Sequence, residues 1–226
     1  MIRIDRLESP EILRAADPAQ KLYLRPEVRQ RLSEMQNQKC CYCEKKIDTV
    51  GHGQAVEHFR PKAPDKYPEL SNTWENLLHA CSDCNGAKAQ QFPLMNNGAP
   101  ALIDPSDPAI DPEDHIDFHV DDEDDATFAS ATAKNKSLFG KKTIDVIKLD
   151  IAGRRRARAI KFKELFAAYA DLICSDPATR SAKVAAFQAL LGANHDYAGF
   201  ARAFARKKKL DERFPGLHIP AGANVA

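Results

Sequence analysis

The 226-residue sequence lacks the long apolar run that a membrane-spanning helix requires. None of its runs approaches the roughly 18 to 20 apolar residues of such a helix, and residues 1–6 lack the apolar core of a signal peptide. The sequence also lacks a large surplus of charge of either sign, because it has 33 basic and 32 acidic side chains and a net charge of +1. We therefore predict a cytoplasmic protein without a membrane segment, and bulk positive charge is excluded as the source of any nucleic-acid binding.

Cysteine is scarce, and its spacing excludes a framework of scattered disulfides. The sequence has six cysteines, and the cytoplasm keeps thiols reduced. Four of them form two Cys-x-x-Cys pairs, which are Cys40 with Cys43 and Cys81 with Cys84. Their four thiolates can fill every position of a tetrahedral, structural zinc ion. Cys41 and Cys174 are left over, and we expect both to be small buried apolar residues.

The two cysteine pairs enclose a long segment. Residues 44–80 separate them, 37 in all, whereas a short zinc finger or ribbon has roughly 12 to 20. The zinc would therefore hold together the two ends of an inserted segment. His79 lies close to the second pair, and we expect it to pack beside the zinc, because four thiolates already complete the coordination.

The inserted segment and the helix predicted after it carry residues that suit phosphodiester hydrolysis. Glu57 and His58 lie between the pairs, and Asn76 precedes the second pair. If the chain is helical from the second pair onward, one helix face carries Cys81, Cys84, Asn85 and Lys88. A carboxylate, an imidazole and an amide beside a lysine can bind a hard cation and activate water. Each residue alone is more common as a solvated or hydrogen-bonded side chain, so only the combination indicates a site.

These stretches resemble a known family of nucleases. The residues that carry the resemblance are Cys40-x-x-Cys43, Glu57-His58-Phe59-Arg60-Pro61, Asn76-Leu77-Leu78, Cys81-x-x-Cys84-Asn85 and Lys88. The pattern is similar to HNH endonucleases in their zinc-stabilised form, and most closely to those of retrons and of the Septu antiphage system. Further similar stretches include Phe92-Pro93-Leu94, Leu102-Ile103-Asp104-Pro105 and His115-Ile116-Asp117-Phe118. The resemblance covers roughly residues 1–160, and the last third matches only as a helical tail.

The resemblance implies roles for the residues between and after the cysteine pairs. His58 would be the general base, Glu57 and Asn85 would hold one Mg²⁺ or Mn²⁺, and Asn76 would fix the loop that orients His58. Candidates for phosphate contacts are Lys88, Arg60 and Lys62. The sequence departs from the commonest HNH pattern at two positions, because Glu57 replaces the more usual aspartate and Asn85 stands where many members have a second histidine. The preferred catalytic metal is thereby left open.

The resemblance also implies partners. Such nucleases cut nucleic acid, DNA being a more natural expectation than RNA, and work with an ATPase subunit in phage defence. In retrons a reverse transcriptase complex takes part as well. An alternative from another class is a non-catalytic module, held together by zinc, that binds nucleic acid or a protein.

The sequence predicts an α+β fold with a mainly helical scaffold, and the resemblance implies that this scaffold carries a zinc-stabilised ββα-metal module. We expect a helical arm over residues 1–37, the nuclease module over 38–98, and an acidic β-hairpin followed by helices over 99–226. Residues 104–125 hold eleven acidic side chains and no basic one, and alternating apolar residues at 116, 118 and 120 favour a strand there. Residues 134–163 reverse that balance, with eleven basic and two acidic side chains.

Overall fold

The computed structural model describes residues 1–14, 17, 20–47, 53–120 and 129–220. Within these ranges the chain forms seven α-helices and two antiparallel sheets of two strands each, an α+β architecture as predicted. In chain order the elements are α1 (Pro26–Met35), β1 (Gln54–His58), β2 (Leu77–Cys81), α2 (Ser82–Lys88), β3 (Ile116–Val120), β4 (Ala129–Ala133), α3 (Leu138–Ile147), α4 (Ala152–Ile173), α5 (Arg180–Leu190), α6 (Ala198–Lys207) and α7 (Leu210–Arg213). None of the helices in these ranges has both the length and the apolar character needed to cross a bilayer.

Strands β1 and β2 with helix α2 form a ββα unit. The strands pair antiparallel, with Gln54 opposite Cys81 and His58 opposite Leu77. Every residue of β2 is buried, so this strand is covered on both faces. Helix α2 begins directly after β2, and the second cysteine pair therefore spans the joint between strand and helix.

The amino-terminal arm packs along this unit. Helix α1 buries Val28, Leu32 and Met35, whose spacing predicted the helix. The Arg6 guanidinium donates to the carbonyls of Trp74, at 2.8 Å, and Leu77, at 3.1 Å. These hydrogen bonds satisfy one carbonyl at the start of β2 and one in the turn before it, and they fix the arm to the ββα unit.

The predicted acidic hairpin is present in its strands. Ile116 and Phe118 are buried on one face of β3, and β3 pairs antiparallel with β4 from Ile116 opposite Ala133 to Val120 opposite Ala129. The acidic turn over residues 121–125 lies outside the described residues.

The carboxyl-terminal helices supply much of the core. Helix α4 buries Phe162, Leu165 and Leu172, and the rings of Phe162 and Phe204 meet edge to face with centroids 5.7 Å apart. One hydrophobic core contains buried residues from all three predicted segments, and the segment boundaries themselves stay a prediction. The expectation for Cys174 was wrong, because this residue caps the end of α4 and is exposed.

Gly140 provides a stringent check of how α3 packs on the second hairpin. An alanine Cβ at this position would lie 2.0 Å from the His115 carbonyl oxygen, a backbone atom that cannot move alone. We expect Gly140→Ala to lower stability by about 2 to 3 kcal/mol, which corresponds to a fall in melting temperature of roughly 4 to 12 °C. Thermal unfolding followed by circular dichroism measures this.

Gly153 in α4 is the matched control for that substitution. A Cβ there would meet nothing within 4 Å, so Gly153→Ala should leave the melting temperature unchanged or raise it slightly. Equal melting temperatures for the two variants would contradict the packing of α3 against the His115 carbonyl.

Candidate active site

The four paired cysteines meet in space as the sequence predicts. Their sulfur atoms all lie within 4.8 Å of one another, and the Sγ atoms of Cys43 and Cys81 are 3.8 Å apart. A tetrahedral zinc ion with Zn–S bonds of 2.3 Å separates neighbouring sulfurs by about 3.8 Å. The donor set and its spacing therefore fit a structural zinc ion.

The local chain explains how the cysteine cluster forms. The Cys40 amide donates to the Lys45 carbonyl and the Glu44 amide to the Cys40 carbonyl, which closes a tight turn around the first pair. Burial raises the pKa of the Cys40 thiol well above its ordinary value, because adjacent buried thiolates without a cation are unfavourable. A divalent ion removes that cost by compensating the thiolate charges.

His79 packs beside the cysteine cluster and is not part of it. Its carbonyl accepts from the Gln36 side chain at 2.6 Å and from the Cys41 amide at 2.9 Å, and its ring Nδ1 lies 3.4 Å from the Gln54 amide nitrogen. The packing role expected of His79 agrees with these contacts. Cys41 is buried, as predicted.

Glu57 of β1 forms a buried ion pair with helix α2. Its Oε1 lies 2.7 Å from the Lys88 ammonium, and both side chains are almost completely buried. The Tyr42 hydroxyl also donates to Oε1, at 3.4 Å. Burial raises the pKa of Glu57, and the Lys88 ammonium opposes that shift. The carboxylate suggested as a metal ligand thus already holds a cation.

The resemblance suggests that Lys88 contacts a substrate phosphate, but in the structure its ammonium is buried against Glu57. It is 0% exposed, and besides Glu57 its ammonium donates to the His58 carbonyl at 2.8 Å. Both partners belong to β1, so these contacts turn the Lys88 face of α2 toward that strand. Asn85, one turn earlier, shares this face.

Asn85 is half-buried and chemically available. Among the described residues its side-chain amide makes no hydrogen bond, and no hydrogen bond joins it to Glu57 or His58. Its carbonyl accepts from the Ala89 amide, which ends α2. The amide oxygen is thus free to serve as a ligand.

The imidazole of His58 is held in one orientation. Its Nε2 lies 2.9 Å from the Ser71 carbonyl oxygen, and because a carbonyl can only accept, Nε2 carries the proton and Nδ1 has the free lone pair. The Tyr23 ring meets it edge to face, with centroids 4.7 Å apart. Burial lowers the pKa of His58 to about 4, and the positive charge of Lys62 adds to this shift. The ring is therefore neutral at pH 7 and can accept a proton at Nδ1.

The loop after His58 is fixed by Asn76 and carries two further cations. The Asn76 side chain accepts from the Arg60 amide at 2.7 Å and donates to the Arg60 carbonyl at 3.0 Å. The Arg60 guanidinium lies over the rings of Tyr67 and Phe92. Lys62 is exposed, with its ammonium 5.0 Å from the centre of the Tyr23 ring.

The structure thus joins Glu57, His58, Asn76 and Lys88 through direct hydrogen bonds or shared backbone contacts, with Lys62 close by. Sequence reasoning missed three contributors, which are Tyr23, Tyr42 and Ser71. Tyr42 lies between the cysteines of the first pair, a position that could have indicated it. Ser71 contributes only its carbonyl, for which no sequence signal exists.

Comparisons with known proteins agree with this geometry. Residues 40–91 match the HNH endonuclease family, a range that includes the four cysteines and the sites just described. The Septu protein PtuB of Bacillus thuringiensis is 35% identical over 131 residues, covering 56% of this chain and 42% of that protein. The Septu protein PtuB of Bacillus mycoides (strain KBAB4) is 33% identical over 115 residues, covering 40% of this chain and 38% of that protein.

The chain spans about two fifths of the length of these curated relatives. Their names do not bear on the retron part of the resemblance. The family match and the two relatives support the same conclusion as the ββα unit and its cysteine cluster. Residues 40–91 are an HNH endonuclease domain, and the chain that carries it is similar over part of its length to two Septu proteins.

Proposed function

We propose that this protein is a metal-dependent endonuclease that hydrolyses phosphodiester bonds in nucleic acid. The observation that carries the proposal is the state of His58, which is neutral and held by the Ser71 carbonyl, while its Nδ1 makes no hydrogen bond to any residue that the structure describes. A general base needs an unprotonated acceptor atom in a fixed orientation. Nδ1 would accept the proton of the attacking water, and Asn76 would hold the loop that maintains this orientation.

Glu57 and Asn85 would hold the catalytic divalent ion. Carboxylate and amide oxygens suit Mg²⁺ or Mn²⁺ better than zinc, and the Glu57 carboxylate already stabilises a positive charge at this place in the form of the Lys88 ammonium. When bound, such an ion polarises the phosphoryl oxygen and stabilises the leaving oxygen. Lys62 and Arg60 would contact the substrate phosphates, and Lys88 would do so only after leaving Glu57.

We further propose that the substrate is DNA and that the protein acts in the cytoplasm, in phage defence, together with an ATPase subunit. The similarity to two Septu proteins supports this placement. A retron reverse transcriptase complex is a second candidate partner, and it rests on the resemblance alone. Incubating the protein with plasmid DNA or RNA, Mg²⁺ or Mn²⁺, and an ATPase encoded beside it tests cutting and substrate together.

The alternative is a non-catalytic, zinc-held binding module, and the Glu57–Lys88 pair favours it. A carboxylate neutralised by a buried lysine has less need of a metal. Both functions predict bound zinc, so only a second metal site separates them.

A manganese titration decides between these functions. Glu57→Gln alone would leave the Lys88 ammonium buried without a counter-ion, a cost of typically about 3 to 5 kcal/mol, so the test uses Glu57→Gln combined with Lys88→Met. We expect wild type to bind Mn²⁺ in addition to zinc, and the double variant to bind it at least about tenfold more weakly. Isothermal titration calorimetry measures the Mn²⁺ affinity, and the electron paramagnetic resonance signal of free Mn²⁺ checks it.

Glu75→Gln is the control for the titration, because Glu75 is exposed in the turn just before β2. It should bind Mn²⁺ as wild type does, and the zinc content of all three proteins should be equal. An identical Mn²⁺ isotherm for wild type and the double variant would support the binding module.

A further inference from the structure

A cavity of about 530 Å³ lies between helix α2 and the start of α4, next to the cysteine cluster. Its basic lining residues are Lys45, Lys148, Arg154 and Arg158, and among the described residues Asp83 is its one acidic lining residue. We propose that this cavity binds the phosphate backbone of the nucleic-acid substrate and guides it along α2. This inference rests on the proposed function, which supplies the substrate.

The cations of this cavity differ in their availability. Arg158 is committed to the protein, because its guanidinium lies 3.3 Å from Asp150 and donates to the carbonyls of Ala129 and Leu149. Lys45 and Lys148 are exposed, and within the described part of the chain neither has an ion-pair partner. Their charges are therefore available to a ligand that enters from solvent.

The shape of the cavity allows a backbone to approach closely. Gly86 of α2 and Gly153 of α4 both line it, and a Cβ at either position would meet nothing within 4 Å. Helix α4 has 22 residues, and its N-cap Ile151 provides no side-chain acceptor for the first-turn amides. The partial positive charge at this helix start adds to the attraction that the lysines exert on a phosphate.

The position of the cavity links it to the candidate active site. Gly86, which lines the cavity, directly follows Asn85, so the cavity lies along the helix that carries that amide. Helix α3, which ends at the Lys148 side of the cavity, packs against α2. Lys148 and Arg154 thereby come to the cavity from the mainly basic segment of residues 134–163.

A rival explanation is that these cations serve the zinc. A zinc ion on four thiolates carries a formal charge of −2, which nearby lysines could balance. The four basic lining residues outnumber those two charges, and only Cys43 and Cys81 of the four cysteines line the cavity. If the cavity binds nucleic acid, an acidic residue in it should weaken nucleic-acid binding. If its cations serve the zinc, the same residue should reduce the zinc content instead.

The test places a carboxylate in the cavity without disturbing the fold. Gly153→Glu has open space for its side chain, and an acidic residue in the first turn stabilises a helix. Gly153→Gln is its neutral match. Both are made in the full chain carrying His58→Ala, so that binding is measured without cutting. Fluorescence anisotropy with a short labelled DNA duplex, and with a single-stranded RNA, gives the dissociation constants.

We expect Gly153→Glu to bind the preferred probe about tenfold more weakly than Gly153→Gln. Lys148→Gln should also weaken binding and reduce the salt dependence by about one counter-ion. Lys163→Gln, an exposed α4 lysine outside the cavity lining, should bind like the parent. Zinc content should be the same in all variants.

If Gly153→Glu and Lys148→Gln bind the nucleic-acid probe as tightly as the parent, the inference is overturned. An acidic protein surface would then be the remaining occupant of the cavity. Loss of zinc with unchanged binding would overturn it in favour of the rival. Failure of the parent to bind either probe would also overturn it. A protein that binds through the cavity but never cuts would refute the proposed function and uphold this inference, so the two failures are distinguishable.

Discussion

His58→Ala is expected to lower the rate of phosphodiester cleavage by about 10²- to 10⁴-fold, the usual contribution of a general base. The substitution removes the Nδ1 acceptor, while Glu57 and Asn85 keep their places on β1 and α2. Zinc content and Mn²⁺ binding should therefore not change. The initial rate at which supercoiled plasmid DNA is nicked, with the divalent ion and the ATPase partner present, measures the effect.

His79→Ala is the matched control, because it removes a second buried imidazole from the same hairpin. Burial lowers the pKa of His79 to about 4, as it does for His58, so the two substitutions delete chemically similar groups. Within the described part of the chain, the His79 ring contacts Gln54 and makes no hydrogen bond to Glu57 or to the loop after β1. We expect His79→Ala to lose stability and keep its cleavage rate. Equal rates for wild type and His58→Ala would refute the catalytic assignment.

The cysteine cluster and helix α1 could be predicted from sequence because their signals are local. Two Cys-x-x-Cys pairs define a zinc site through spacing alone, and the apolar spacing of Val28, Leu32 and Met35 defines a helix without knowledge of its surroundings. The first strand of the second hairpin could be predicted in the same way, since Ile116 and Phe118 alternate with polar residues. Each of these patterns depends on atoms a few residues apart.

The Glu57–Lys88 pair could not be predicted in this way. The sequence shows that Lys88 shares a helix face with Asn85, but whether that face meets solvent or a buried carboxylate depends on how α2 packs on β1. The same holds for the tautomer of His58. It is fixed by the Ser71 carbonyl, which lies thirteen residues away in sequence, and a carbonyl carries no side-chain signal.

Cys40→Ala is expected to abolish zinc retention, from one zinc ion per chain to almost none. A structural zinc site contributes folding free energy directly, so we also expect the protein to lose about 4 kcal/mol or more and its melting temperature to fall by roughly 8 to 16 °C. Elemental analysis gives the zinc content, and circular dichroism gives the melting temperature. A chelator should bring wild type toward the behaviour of the variant.

Cys41→Ala is the sharpest control for this substitution, because the two cysteines are neighbours and are exposed by only 2% and 3%. Only Cys40 belongs to the four-thiolate cluster, so Cys41→Ala should keep its zinc. One zinc ion per chain in both variants would contradict the assigned ligands.

The loss of zinc should extend to cleavage, because α2 cannot stand alone. This helix has seven residues, and an isolated helix shorter than about 12 to 15 residues is marginal in water. Cys81 and Cys84 hold its first turn to the Cys40 loop through the metal, and the next turn carries Asn85 and Lys88. If the first turn is released, Asn85 loses its position relative to Glu57. Cys40→Ala should therefore cut no faster than His58→Ala, whereas Cys41→Ala should cut like wild type.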